Sequence, residues 1–464
     1  MRRSSRDRRK ARISKNIPPV ASRATSSLRV CPDRRGADAL GLSLLNRGDE
    51  PVLIGTRPLQ TQTGKPWQLI RVAALLVPLA LTACATPQRL RAVPSGQVTQ
   101  AHPAVDKIRY IVGLNFKEFG DEYLLSLKRE EAYMASTGHS GPLPPASFLA
   151  ISGGGGDGAF GAGLITGWTG HGRPQFKVVT GISTGALIAP FAFLGEKYDP
   201  VLQAIYTQTT DAGIYKKRSF MAALTSDAMA DTAPLAATVK RLVTPEFLAE
   251  IAAEYSKGRI LLVGTTDLDS QHGVIWNMTA LAASKEPGAS DLFRKILLAS
   301  ASIPGAFPPV MIDVTVNGKH YQEMHVDGGA FAQVFIYPPR FHLKDIAAEK
   351  GFDRVRTLYI IRNARLDPEW ASVHRRTLSI AANAIASLIH AQGNGDLHRM
   401  YLTSQRDHLD FNLAYIPSEF TLESKSQFDP AYMTALFSRG RDMAIKGYPW
   451  QTHPPGYEPD GSEE

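Results

Sequence analysis

A serine stands between two glycines in Gly181-Ile182-Ser183-Thr184-Gly185, after the apolar run 176–180 and before the apolar start Ala186-Leu187-Ile188-Ala189. When a strand feeds a helix through such a turn, the backbone bends so sharply that the serine oxygen projects beyond the end of the sheet. Attack on a carbonyl is then open to Ser183, although a serine at this place is also a common helix cap. A serine hydroxyl is a weak nucleophile at its own pKa and needs a neighbouring base. One candidate is Asp327, in Glu323-Met324-His325-Val326-Asp327-Gly328-Gly329-Ala330. A carboxylate followed by Gly328 and Gly329 can lie in an open turn where nothing crowds its approach to a hydroxyl, and the same pattern also makes an ordinary β-turn. The other candidate is a histidine in a Ser-Asp-His chain order, with His374, His390 or His398 in that role.

A second chemical feature precedes the serine. The stretch Ser152-Gly153-Gly154-Gly155-Gly156-Asp157-Gly158 follows the apolar run 147–151 and leads into a helical run from Leu164. With no Cβ atoms in the way, the N–H groups of Gly153, Gly154, Gly155 and Gly156 can converge on one anion at a helix N-terminus. That anion is either a phosphate or a transient oxyanion. No Gly-Lys-Ser/Thr closes the loop, so a nucleotide P-loop is absent, and the G-x-G-x-x-G match is permissive. A phosphate headgroup held by a non-catalytic protein stays open as a reading.

The elements needed to position these residues are visible as alternating apolar runs, glycine turns and helical stretches, the pattern of parallel strands with crossovers. Strands are expected over 147–151, 176–180, 259–265, 273–277 and 356–361. Helical spacing of Phe116, Phe119, Tyr123, Leu124 and Leu127 predicts a packing helix within 106–136, and a long helix is expected over 374–405. Apolar stretches 188–194 and 331–337 are candidates for lining an apolar pocket, with core packing as their commoner role.

The composition narrows the function further. The chain has 464 residues, 44% hydrophobic and 20% charged, which is globular and long enough for two or three domains. Its net charge of +9 is unevenly placed: residues 1–83 hold 16 Lys and Arg against 5 Asp and Glu. The remainder is slightly acidic and gives no argument for a nucleic-acid partner. Only Cys31 and Cys84 are present, so a disulfide framework and a cysteine-rich metal site are excluded, and no EF-hand pattern occurs. No metal or cofactor is called for.

Residues 1–65 are Arg-, Ser-, Gly- and Pro-rich, without a sustained apolar period, and disorder is expected there. Lys65 and Arg71 flank the start of the apolar stretch 72–81, which ends in Thr82, Ala83 and Cys84, the zone order of a secretion signal. The stretch is too short for a permanent span, which needs about 20 residues. Leu81-Thr82-Ala83-Cys84 resembles the lipobox of bacterial lipoproteins, which implies lipidation at Cys84. With Ala85 following, that resemblance favours an outer-membrane anchor facing the periplasm. A signal beginning this far into a chain implies either an extended leader or a translation start downstream of Met1.

Taken in order, the glycine loop, the Gly-x-Ser-x-Gly turn and the Asp-Gly-Gly turn resemble the patatin-like phospholipase family. Two further stretches agree: Gly264-Thr265-Thr266-Asp267-Leu268-Asp269, and Ala299-Ser300-Ala301-Ser302-Ile303-Pro304-Gly305-Ala306-Phe307-Pro308-Pro309. The resemblance covers about residues 146–340. It implies a three-layer α/β/α sandwich around a mostly parallel sheet, with Ser183 as nucleophile, Asp327 as proton acceptor, and the glycine amides, Gly153 to Gly155 foremost, as the oxyanion hole. The substrate class it implies is a phospholipid or other acyl-ester lipid. The loop departs from the family in carrying Asp157 where Arg or Lys is common, and Asp157 is expected to cap the following helix instead. The organisation is then a leader and signal over 1–83, a tether and packing helix over 84–145, a catalytic domain over 146–340, and an extension over 341–464 that completes or covers it.

Overall fold

The computed structural model describes residues 87–457, apart from 220, 221, 223, 224, 352 and 353. The leader, the signal-like stretch and Cys84 lie outside the described residues. The strands of the main sheet are β1 (Arg109–Ile111), β2 (Ala146–Ile151), β3 (Phe176–Ile182), β4 (Ile260–Asp267), β5 (His272–Asn277), β6 (Val310–Val316), β7 (Lys319–Asp327), β8 (Arg356–Arg362) and β9 (Asp410–Tyr415). The helices that matter below are α1 (Phe116–Ser136), α2 (Gly158–Trp168), α3 (Thr184–Leu194), α4 (Asp199–Gln208), α5 (Ala233–Leu242), α6 (Pro245–Ser256), α7 (Ala289–Ser300), α8 (Thr377–Asp407) and α9 (Pro430–Ile445).

The central strands are apolar at nearly every position because both faces of the sheet are covered. Every residue of β3 is buried. Alternation along a strand divides them between two cores. Leu149, Ile151 and Val179 pack with helices α2 to α7 and α9 on one face, while Phe148, Ala150 and Val178 pack with α1 and the second half of α8 on the other. The result is a three-layer α/β/α sandwich, as expected.

The sheet runs β1-β5-β4-β3-β2-β8-β9, and β4, β3, β2, β8 and β9 are mutually parallel. The expectation of a parallel strand at 273–277 needs correction: β5 is antiparallel to β4. Only the short turn 268–271 separates them, far less than the dozen or more residues a parallel crossover requires. The hairpin β6–β7 hooks onto the far end of β4 through β7. Two strands, β8 and β9, come from beyond residue 340, and β8 lies directly against β2. The C-terminal segment is thus woven into the sheet.

Helices α2 and α9 cross at backbone contact distance. A Cβ added at Gly163 would stand 2.0 Å from the Phe437 carbonyl oxygen, and one at Gly440 would stand 2.4 Å from that of Phe160. The glycine loop at the head of α2 is thereby pinned to the C-terminal helix. Among the described residues, no helix is long and apolar enough to cross a membrane.

Candidate active site

Strand register brings the serine and the aspartate together. The last pair between β3 and β4 is Ile182 with Gly264, and the next residue of β4, Thr265, pairs instead with Asp327 of β7. Asp327 therefore occupies the row that the chain vacates when it turns away at Ser183. Sequence separation is large, but the sheet leaves the two side by side.

The turn itself is held under strain. Ser183 has φ 55° and ψ −125°, a region that costs a non-glycine residue of order 1–3 kcal/mol. The flanking glycines permit it: a Cβ at Gly181 would lie 2.4 Å from the Gly185 carbonyl oxygen, and one at Gly185 would lie 2.3 Å from that of Ile151. Ser300, at the end of α7, bolts the turn to β4. Its hydroxyl accepts from the Ser183 N–H at 3.0 Å and donates to the Gly264 carbonyl at 2.7 Å. Nothing in the sequence singled out this hydroxyl beyond its place in the 299–309 block.

Asp327 is buried, and burial pushes its carboxyl up to about 6. The Ser183 hydroxyl beside it and the Gly329 N–H, 2.7 Å from one carboxylate oxygen, partly oppose that shift by favouring the ionised form. Gly328 packs on β4, where a Cβ would lie 2.4 Å from the Gly264 carbonyl oxygen. The result is a carboxyl that changes charge near neutral pH next to a serine hydroxyl. No histidine takes that position among the described residues. His390 bonds Asn394, His398 bonds the Asn394 carbonyl on its own helix, and His374 is exposed. The buried His325 is held by Thr265 and Glu323.

The glycine loop lies against the serine: a Cβ at Gly153 would stand 3.1 Å from that of Ser183. One expected donor is corrected by the geometry. The Gly153 N–H is spent on the Gln333 carbonyl at 3.1 Å, so it is not free for an oxyanion. The N–H groups of Gly154, Gly155 and Gly156 meet no acceptor among the described residues. Asn363, buried at the end of β8, clamps the loop from behind. It donates to the Ser152 carbonyl through Nδ2, accepts from the Gly161 N–H through Oδ1, and its own N–H donates to the Ser152 hydroxyl. An isolated Asn after a strand carries no motif, so this clamp was invisible in the sequence. Gly154 passes so close that a Cβ would lie 2.2 Å from the Asn363 carbonyl oxygen, at φ 154°. Gly154→Ala is therefore expected to displace the loop and, if the loop amides hold an oxyanion, to lower kcat by about 10²- to 10³-fold, the usual loss for one such donor. Steady-state ester kinetics on a variant with an unchanged circular dichroism spectrum checks this.

Asp157 does not cap α2 as expected. Its carboxylate accepts from the Tyr432 hydroxyl of α9 at 2.7 Å, and burial pushes it up to about 6. The close packing of α2 and α9 leaves this hydroxyl nearer to the carboxylate than the helix N–H groups are. Gly158 follows, where a Cβ would meet the Thr184 hydroxyl at 2.2 Å.

A cleft is lined by Gly155 of the loop and Thr184 of the elbow. Leu187, Phe191, Leu235, Val239, Leu297 and Met433 make its walls mostly apolar. Of the stretches considered as pocket lining, 188–194 contributes Phe191. The stretch 331–337 lines a separate cleft with Asp396, Arg399 and Met400. Among the described residues, no cluster of His, Cys, Asp and Glu is placed to hold a metal.

The fold and site define an α/β/α sandwich with a strained serine turn, a buried carboxyl beside it and a glycine loop packed against it. Residues 149–338 match the family described as patatin-like phospholipase. No curated protein matches the chain. Among solved structures, VipD from Legionella pneumophila aligns at 11% identity with a TM-score of 0.28, over 65% of this chain and 66% of that one.

Proposed function

We propose that the chain hydrolyses carboxylic esters of acyl lipids through a Ser183–Asp327 dyad. Ser183 Oγ attacks the ester carbonyl while its proton passes to the Asp327 carboxylate. The N–H groups of Gly154, Gly155 and Gly156 hold the oxyanion of the tetrahedral intermediate, which collapses as the leaving alcohol takes the proton back from Asp327. Water, deprotonated by the same carboxylate, then cleaves the acyl-enzyme and releases a fatty acid. The observation that carries this reading is the register, which seats Asp327 in the sheet row beyond Ile182, beside the Ser183 hydroxyl. The apolar cleft meeting both loop and elbow supports an acyl chain as the group transferred.

The test is lipid mass spectrometry after incubation of phospholipid with wild-type protein and Ser183→Ala. Fatty acid and lysolipid are expected from wild type only; equal release by both proteins would overturn the assignment. A pH profile adds a second expectation. The base must be ionised, so kcat/KM should rise with pH through an acid limb near 6. Asp157 titrates in the same range, so the limb is assigned to Asp327 by its persistence in Asp157→Asn. We further propose that Cys84 carries a lipid anchor in a bacterial envelope. Metabolic labelling with a fatty-acid analogue is expected to mark wild type and to be absent in Cys84→Ser.

A further inference from the structure

The first half of α8 is built inside out. Ser379, Asn383 and His390, at helical spacing, form its half-buried side. Ile385, Leu388 and Ile389 are turned to solvent, Leu388 at 69% exposure, and Ile380 is exposed as well. Water alone would favour the reverse arrangement. The second half of the same helix behaves ordinarily, with Leu397, Met400 and Tyr401 buried in the core. The segment entering the helix adds Val373 and a Trp370 that is 90% exposed. An apolar stripe of this kind on a soluble face marks a docking surface.

Charge indicates what docks there. Residues 370–395 contain no Asp or Glu, whereas Arg375 and Arg376 stand exposed at the start of the helix. Exposed aliphatic side chains, an exposed tryptophan and unopposed arginines together suit the boundary of an anionic bilayer, where the apolar groups enter the acyl region and the guanidinium groups meet phosphates. Position agrees with that. One turn beyond Leu388, Gln392 donates to the Phe331 carbonyl and accepts from Gln333, whose own carbonyl holds the Gly153 N–H of the glycine loop. The stripe therefore ends against the frame of the candidate active site.

We propose that the face made by Trp370, Ile385, Leu388, Ile389, Arg375 and Arg376 docks the protein on anionic phospholipid membranes with the active site at the bilayer surface. This rests on the lipid-hydrolase reading for its purpose, though not for the binding itself. The stripe needs no anchor to act. The experiment uses full-length protein carrying Cys84→Ser, so that no attached lipid contributes, with vesicles of phosphatidylcholine plus phosphatidylglycerol and vesicles of phosphatidylcholine alone.

Wild type is expected to sediment with the mixed vesicles and to show a blue shift in tryptophan emission that disappears in Trp370→Phe. Leu388→Ser/Ile389→Ser should weaken vesicle affinity by at least about tenfold while hydrolysing p-nitrophenyl butyrate at the wild-type rate, which also reports that the variant is folded. Arg375→Gln/Arg376→Gln should lose the preference for phosphatidylglycerol. Unchanged vesicle binding in the Leu388/Ile389 variant, or no vesicle binding by wild type, would overturn the proposal. So would a change of oligomeric state in that variant without vesicles, which would assign the face to a second copy of the chain. Ser183→Ala separates the two readings: it should bind vesicles like wild type and hydrolyse neither substrate.

Discussion

Asp327→Asn is expected to remove ester hydrolysis and, in the same protein, to change how stability depends on pH. The loss should be on the order of 10⁴-fold in kcat, since a serine without its base retains only what the amides and binding supply. The stability effect follows from burial. The folded carboxyl titrates at about 6, above its ordinary value of 3.8. A group raised in this way adds its full stability below the unfolded pKa, and that contribution is lost as pH rises from about 4 through 6. For a group this deeply buried, the loss at neutral pH is roughly 3 kcal/mol. Asparagine does not ionise, so the variant should gain relative to wild type between pH 4 and pH 7. Chemical denaturation at those two values measures the gain, and an equal difference at both would show that Asp327 is not buried as described.

The second large effect is at the elbow. Ser183→Gly should abolish turnover by roughly 10⁴- to 10⁶-fold, as loss of a nucleophile does. It should also stabilise the fold by about 1–2 kcal/mol, because glycine adopts φ 55° without the penalty a serine carries. Ser183→Ala should lose the same activity without the gain. A nucleophile held in strain gives this opposite movement of activity and stability, whereas a helix-capping serine would give a loss of stability on removal. Thermal denaturation of the two variants distinguishes the roles.

Much of this site was legible because its parts are short motifs with a mechanical reason. Glycines at 181 and 185 are required by backbone contacts that a Cβ would forbid, and the amides of 154–156 meet no acceptor among the described residues. The central strands were legible because burial on both faces writes them as unbroken apolar runs. Other features were hidden for identifiable reasons. The hairpin β6–β7 carries the aspartate, yet only its Asp-Gly-Gly end was read. Its turn, Asn317-Gly318 with φ 50° and 74°, is a two-residue signal that alternating flanks would have confirmed. Strand β9 begins with Asp and Asn among its apolar residues and depends on β8 for its place. The fate of the Gly153 amide was beyond reach, since it depends on the Gln333 carbonyl, 180 residues away in the chain. The same holds for Asn363 and Tyr432, whose roles come from packing between distant segments.

The most direct measurement treats the protein with a fluorophosphonate and maps the adduct by tandem mass spectrometry. The dyad account predicts a single stoichiometric adduct on Ser183 in wild type, and labelling at least about 10²-fold slower in Asp327→Asn, where the base that activates the hydroxyl is gone. Absence of an adduct at Ser183, or labelling of Asp327→Asn at the wild-type rate, would contradict it.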